Sequence, residues 1–71
     1  MIETKKIFVQ SSDIWWVEYN VDKLIVKFHN GMMYVYFNVP YYIFTSLLSS
    51  DSKGKFLNLY IKNHYAYQRI G

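Results

Sequence analysis

The chain has 71 residues, a net charge of +3 and no cysteine. A chain this short forms one domain with a small core, which oligomerisation would help to stabilise. Without cysteine it has neither disulfides nor thiolate metal sites. The charge alone does not indicate a nucleic-acid-binding protein. The longest apolar run, residues 32–37, is far shorter than the ~20 residues that span a bilayer.

The N-terminus carries Lys5 and Lys6 before a short apolar run, which is too brief for a signal peptide, so we expect a cytoplasmic protein. Fifteen residues are aromatic, more than one small core can hide, so some should lie at the surface or in an interface. Abundant Ile, Lys, Asn, Tyr and Phe also suit an AT-rich genome, such as that of a low-GC bacterium or its phage.

The first ten residues predict an N-terminal edge strand or tether, and residues 11–71 predict a single domain. Ser11, Ser12 and Asp13 form a turn, because their side chains hydrogen-bond to nearby backbone groups. A strand from Ile14 to Tyr19 should follow, and residues 20–23 should turn the chain into the next strand.

The central element is a predicted hairpin, residues 23–37, with Asn30 and Gly31 between two apolar runs. Asn-Gly is typical of a two-residue turn in which both residues take positive φ. This register places Phe28 opposite Met33 and Val26 opposite Val35.

Directly opposite residues share a sheet face, so this register predicts two different faces. One is an apolar core face, to which the preceding strand adds Trp15, Val17 and Tyr19: Leu24, Val26, Phe28, Met33, Val35 and Phe37. The other is a mixed face, to which Trp16 and Glu18 are added: Ile25, Lys27, Tyr34 and Tyr36.

Pro40 predicts the end of the sheet and the first turn of a helix over residues 41–49, with an apolar stripe at i, i+4 spacing. A second helix is predicted from Ser52 to about Asn63, and residues 65–70 could return as a final strand. The fold class is therefore α+β: a small antiparallel β-meander with two short helices packed on one face.

The stretch Ser52, Lys53, Gly54 and Lys55 is the first candidate site. Free N–H groups at a helix start, a glycine and two lysines could together anchor a phosphate. An ordinary helix cap with solvated lysines explains the same residues and is favoured by these four residues alone.

The second candidate is the mixed face, where Trp16, Tyr34 and Tyr36 accompany Lys27. Aromatic rings beside a basic residue on a strand face can stack nucleic-acid bases. Burial of this face by a helix, the tail or a second subunit is an equally good explanation.

The two histidines, His29 and His64, have no second ligand at metal-binding spacing, so neither a metal nor any other cofactor is predicted. The five acidic residues are scattered, and no serine has a base at a recognisable spacing. The expectation is a protein without catalytic activity.

The order and spacing of several short motifs resemble the KTSC domain, a module that follows some lysyl-tRNA synthetases and also occurs as a small stand-alone protein. The resemblance covers roughly residues 8–70. Its main motifs are Ser11-Ser12, Tyr34-x-Tyr36, Val39-Pro40, the segment 52–58 and Tyr65-x-Tyr67.

The resemblance implies RNA binding, with Tyr34 and Tyr36 in the central motif and Ser52, Gly54 and Asn58 in the later one. Trp15, Trp16 and Glu18 stand where the family usually has small residues, and these bulky side chains could form a ligand platform or a subunit interface. The full set of predicted ligand-binding residues is Trp16, Lys27, Tyr34, Tyr36, Ser52, Lys53, Gly54, Lys55, Asn58 and Arg69.

Two function classes remain open. The first is a binding module for a phosphorylated, base-containing ligand, either single-stranded RNA or a small nucleotide, and a phage-type homo-oligomer that sequesters a nucleotide signal is one form of it. The second is a protein-interaction or structural module with an aromatic surface formed by Trp16, Tyr34, Tyr36, Tyr41 and Tyr42.

Overall fold

The computed structural model describes residues 6–71, so the predicted N-terminal segment is described only from Lys6 onward. Its strands are β1 (Ile7–Phe8), β2 (Ile14–Asn20), β3 (Lys23–Phe28), β4 (Met33–Tyr36) and β5 (Tyr67–Arg69). They form one antiparallel sheet in the order β1-β2-β3-β4-β5. The predicted meander is thus extended by a short strand at each edge, and the tail does return as a strand.

Two short helical elements cover one face of this sheet. Helix α1 (Tyr41–Ser49) follows Pro40, and helix α2 (Lys53–Phe56) continues into a π-helical segment, Leu57–Ile61. They supply Phe44, Leu47, Leu57 and Ile61 to the core. The predicted α+β fold class is confirmed.

The hairpin between β3 and β4 has a three-residue loop, His29, Asn30 and Gly31, instead of the predicted two. The Phe28 N–H donates to the Met32 carbonyl at 2.9 Å and the Gly31 N–H to the Phe28 carbonyl at 3.0 Å. Gly31 alone of the three has positive φ, +94°. This pattern is the three-residue hairpin loop in which a glycine closes a bulge.

The longer loop shifts the register of β4 by one residue, so the predicted pairing was wrong. Leu24 pairs with Tyr36 and Val26 with Tyr34. A slip of one residue exchanges the two faces of a strand. Tyr34 and Tyr36 therefore face the helices, and Met33 and Val35 lie on the opposite side.

A bulge in β2 changes the predicted position of Trp15 as well. Tyr19 pairs with Leu24 and Val17 with Val26, as predicted, but the register shifts between Ile14 and Trp16. Ile14 rather than Trp15 fills the core. Trp15 is 46% exposed and its ring lies 6.1 Å from that of Phe8.

The sheet face opposite the helices is called the outer face below. The strand pairings place eight residues on this face, in two rows that run across the strands. The first row is Phe8, Trp16, Lys27 and Met33, and the second is Glu18, Ile25, Val35 and Gln68. Trp16 and Val35 are buried, yet neither belongs to the core cluster beneath the helices. Apolar residues therefore occupy both faces of the sheet.

Replacing Gly31 with Ala should lower the free energy of unfolding by about 1 kcal/mol, because a side chain is strained at positive φ. An added Cβ meets no atom within 4 Å, so the effect is conformational. Chemical denaturation measures it. Gly31→Asn should cost less than Gly31→Ala, since Asn tolerates positive φ better. An equal loss for both variants would contradict this explanation.

Replacing Val21 with Gly should instead stabilise the protein by up to about 1 kcal/mol, because a β-branched residue at positive φ is strained. Val21 has φ of 63° in the loop between β2 and β3, and its side chain is 76% exposed. Val21→Ala is the matched control, since it retains a Cβ. A Gly variant no more stable than the Ala variant would show that the loop is unstrained.

Candidate functional site

The Ser11 to Asp13 turn is held against the tip of the β3–β4 hairpin. Ser11 Oγ accepts hydrogen bonds from the Asp13 and Ile14 N–H groups, both at 3.2 Å. The His29 N–H donates to the Asp13 carbonyl at 2.9 Å, and His29 Nε2 lies 3.0 Å from the Ser11 carbonyl. The hairpin loop thereby fixes the turn close to the second helix.

The start of α2 meets this turn at Gly54. Ser52 caps the helix, its hydroxyl accepting the Lys55 N–H at 3.4 Å. A Cβ on Gly54 would lie 2.9 Å from Asp13 Oδ2. The glycine therefore makes room for the Asp13 carboxylate, and that negative charge lies where the sequence suggested a phosphate.

Two adjoining clefts lie on either side of this contact. The larger, here the polar cleft, has a volume of about 580 Å³ and is lined by Ser12, Asp13, Phe28, His29, Asn30, Gly54, Leu57, Asn58 and Lys62. The smaller, here the lysine cleft, has a volume of about 260 Å³ and is lined by Gln10, Ser11, Ser12, Asp13, Asp51, Ser52, Lys53, Gly54 and Lys55. Both clefts share Ser12, Asp13 and Gly54.

A third cleft, here the tyrosine cleft, has a volume of about 310 Å³ and is lined by Tyr34, Tyr36, Lys62, Asn63 and Tyr67. Its three rings are neighbours, with centroids 5.8 to 6.5 Å apart. Tyr67 is 58% exposed and Tyr36 only 2%. Lys62 also lines the polar cleft, so this lysine is shared by the two clefts.

The predicted ligand-binding residues are divided between the two faces of the sheet. Seven line the three clefts on the helix side: Tyr34, Tyr36, Ser52, Lys53, Gly54, Lys55 and Asn58. Trp16 and Lys27 lie on the outer face, so the expected platform of these two residues with Tyr34 and Tyr36 is wrong. Arg69 is exposed opposite Tyr34, and its Nε donates to the Gly71 carbonyl.

Besides Arg69, two of the predicted cations already have structural partners. Lys27 Nζ donates to the Gly31 carbonyl at 3.0 Å and so closes the hairpin loop. Lys53 Nζ donates to the Ser50 carbonyl at 2.9 Å, in the turn before α2. An ammonium group has further donors, but these bonds orient both side chains toward the protein backbone.

Sequence reasoning missed several cleft residues, chiefly Asp13, Asn30, Lys62 and Tyr67. Lys62 follows the π-helical segment, and its N–H donates to the Leu57 carbonyl at 2.8 Å, five residues earlier. An i, i+4 helical pattern does not predict this placement. Of these residues, only Tyr67 could have been found from the sequence, because it belongs to the Tyr65-x-Tyr67 motif.

Among residues 6–71, no group of three or more His, Cys, Asp or Glu side chains is placed to hold a metal ion. No helix in that part of the chain is both long and apolar enough to cross a membrane.

Burial raises the pKa of the Tyr36 phenol to about 12, and the neighbouring Tyr34 and Tyr67 raise it further in smaller measure. The neutral phenol is therefore the form that the folded tyrosine cleft accommodates.

This shift predicts a loss of stability at high pH. Tyr36 stabilises the fold fully below pH ~10, and its contribution, of the order of 2 kcal/mol, should be lost as the pH rises toward 12. Urea unfolding across this range should show a steeper decline for the wild type than for Tyr36→Phe, which has no phenol to ionise. Parallel declines would mean that Tyr36 titrates normally.

The chain is similar to known proteins in sequence and in structure. The family model of the KTSC domain matches residues 10–65. An uncharacterized protein of Stutzerimonas stutzeri (strain A1501) is 36% identical over 69 residues, covering 93% of this chain and 97% of the relative. The crystal structure of a KTSC domain protein from Yersinia pestis is 30% identical, with a TM-score of 0.88, covering 97% of this chain and all of that one.

Proposed function

This chain belongs to the KTSC domain family, and we propose that it is a non-catalytic binding module for a phosphorylated, base-containing ligand of nucleotide size. The ligand would occupy the helix side of the sheet, across the tyrosine and polar clefts. A protein that holds a ligand at such a site, without reacting with it, would act by sequestering that ligand.

The observation that carries this proposal is the position of Lys62 between two chemically different clefts. One cleft is walled by the rings of Tyr34, Tyr36 and Tyr67, the other by amide, imidazole and carboxylate groups. Tyrosine rings stack on a base, and a lysine ammonium pairs with phosphate. A nucleotide with its phosphate at Lys62 would contact the exposed ring of Tyr67 and hydrogen-bonding groups such as Asn58.

The Ser52 to Lys55 segment supplies a second basic position, at the lysine cleft. Lys55 is exposed there, but the carboxylates of Asp13 and Asp51 line the same cleft. Like charge disfavours a phosphate close to these acids. Lys62 also lines the tyrosine cleft, which has no acidic lining residue, so we assign the principal phosphate contact to Lys62 and a peripheral one to Lys55.

The same acidic residues favour a small nucleotide over a long RNA strand. A strand crossing all three clefts would pass Asp13 and Asp51, whereas RNA binding requires a continuous basic surface. The second form of the proposal is that the ligand is RNA and that the chain is related to the KTSC domain that follows some lysyl-tRNA synthetases. Its support is the family resemblance rather than the charge distribution.

Replacing Lys62 with Gln should weaken binding of a ribonucleoside monophosphate at least tenfold, about 1.4 kcal/mol, because the phosphate loses its cation. Titration calorimetry with the four common ribonucleoside monophosphates measures the affinity, and native mass spectrometry of protein from its own host reveals any retained ligand. Lys55→Gln should weaken binding by a smaller factor.

Lys23→Gln is the matched control, since it removes the same charge from a lysine that pairs with Asp22 at 3.6 Å and lines none of the three clefts. It should leave affinity unchanged. Equal losses in both variants would mean that only net charge matters. If the protein binds single-stranded RNA in a salt-sensitive manner and binds no nucleotide, the ligand is RNA and the small-nucleotide proposal is wrong.

The alternative function, protein interaction through aromatic residues, now rests on different residues. Trp16 lies on the outer face, Tyr34 and Tyr36 face the helices, and Tyr41 and Tyr42 are exposed at the start of α1. The five residues therefore form no single surface. The observation that favours interaction is instead the neighbouring pair of exposed rings, Phe8 and Trp15.

A further inference from the structure

The Tyr36 side chain is almost wholly buried, yet the fold gives its hydroxyl group no partner. Only 2% of the residue is exposed, and it belongs to the core cluster beneath the helices. The Tyr19 hydroxyl, on the same side of the sheet, donates to the Val39 carbonyl at 2.6 Å, whereas the Tyr36 hydroxyl makes no hydrogen bond within residues 6–71. Buried polar groups in proteins are normally paired, so this hydroxyl needs an explanation.

The hydroxyl opens into the tyrosine cleft. In the part of the chain that the structure describes, every fully buried side-chain nitrogen or oxygen has a hydrogen-bond partner. The unpaired Tyr36 hydroxyl must therefore be part of the small surface that this residue retains. Tyr36 lines the tyrosine cleft and neither of the other two clefts. Its hydroxyl is thus placed to pair with whatever occupies that cleft.

We propose that the Tyr36 hydroxyl determines which base the tyrosine cleft accepts, by donating a hydrogen bond to an acceptor atom on the edge of the base. This inference rests on the proposed nucleotide site. Ring stacking is not selective, since every base has a π-face, and Lys62 would contact the phosphate, which all nucleotides share. A base without an acceptor at the right place would leave the hydroxyl unpaired, and such unpaired groups discriminate strongly between ligands.

The geometry of the cleft fits this role. Tyr67, 58% exposed, forms its open wall and Tyr36 its floor, with ring centroids 5.8 Å apart and planes tilted by 40°. A base stacked on the open wall presents its edge, where its acceptor atoms lie, to the floor. The volume of about 310 Å³ is at the lower end of the range for ligand sites, ~300–1,000 Å³. Burial raises the pKa of Tyr36 to about 12, so the phenol keeps the proton that it would donate at neutral pH.

Tyr36→Phe tests the proposal, because it removes the hydroxyl oxygen and keeps the ring that walls the cleft. Titration calorimetry with AMP, GMP, CMP and UMP measures the affinities. The wild type should bind one of the four at least about tenfold more tightly than the weakest. Tyr36→Phe should abolish this preference by weakening the favoured nucleotide about tenfold. Lys62→Gln should instead weaken all four by a similar factor and keep the preference, since it removes a contact to the shared phosphate.

Tyr19→Phe is the matched control, since Tyr19 loses the same atom but lines none of the three clefts. It should leave all four affinities unchanged. In chemical denaturation at pH 7 without ligand, Tyr19→Phe should lower the midpoint, because the Val39 carbonyl loses its donor. Tyr36→Phe should leave the midpoint unchanged, because its hydroxyl has no partner in the protein to lose.

The outcomes separate this inference from the proposed function. Equal affinity of the wild type for all four nucleotides, or an equal loss for all four in Tyr36→Phe, would overturn the role of Tyr36 and leave the nucleotide site standing. A midpoint that falls as far in Tyr36→Phe as in Tyr19→Phe would show that the hydroxyl is structural and would also overturn it. A wild type that binds none of the four would overturn the proposed small-nucleotide site and this inference with it.

Discussion

The three-residue loop at the tip of the central hairpin determines what each face of the sheet presents. Because Gly31 takes positive φ after His29 and Asn30, β4 pairs with β3 one residue away from the register of a two-residue turn. That single step directs two tyrosines toward the helices. It also leaves Met33 and Val35 on the other side, so the tyrosine cleft and the apolar outer face have the same origin.

The loop also organises the clefts beyond the sheet. Its His29 holds the Ser11 to Asp13 turn through a backbone N–H and a ring nitrogen, and that turn places a carboxylate against Gly54. The polar and lysine clefts share this contact. The three-residue loop thus sets the register of β4, holds the Ser11 to Asp13 turn and brings that turn against the start of the second helix.

Much of the fold was predictable because its signals are local. Pro40 marked the start of α1, the i, i+4 apolar pairs marked both helices, and the alternation of residues 14–28 marked two strands that pair largely as expected. The register of β4 was not predictable, since Asn30-Gly31 is typical of a two-residue turn but also fits a three-residue loop that ends in a glycine. The bulge at Trp15 likewise left no local signal. The candidate site was only partly predictable. Its later motif is contiguous in sequence, but Asp13 reaches it through tertiary contacts and Lys62 through the π-helical segment.

The π-helical segment before Lys62 has an evolutionary consequence. In a π-helical segment the hydrogen bonds span five residues instead of four, so the helix contains one extra residue but remains continuous. Losing that residue anywhere in Leu57–Ile61 would restore a regular helix and turn every later side chain by about 100° around the axis. In a relative with this deletion, the counterpart of Lys62 would point away from both clefts. A relative can therefore share this arrangement of Lys62 only if it has the same number of residues in this segment.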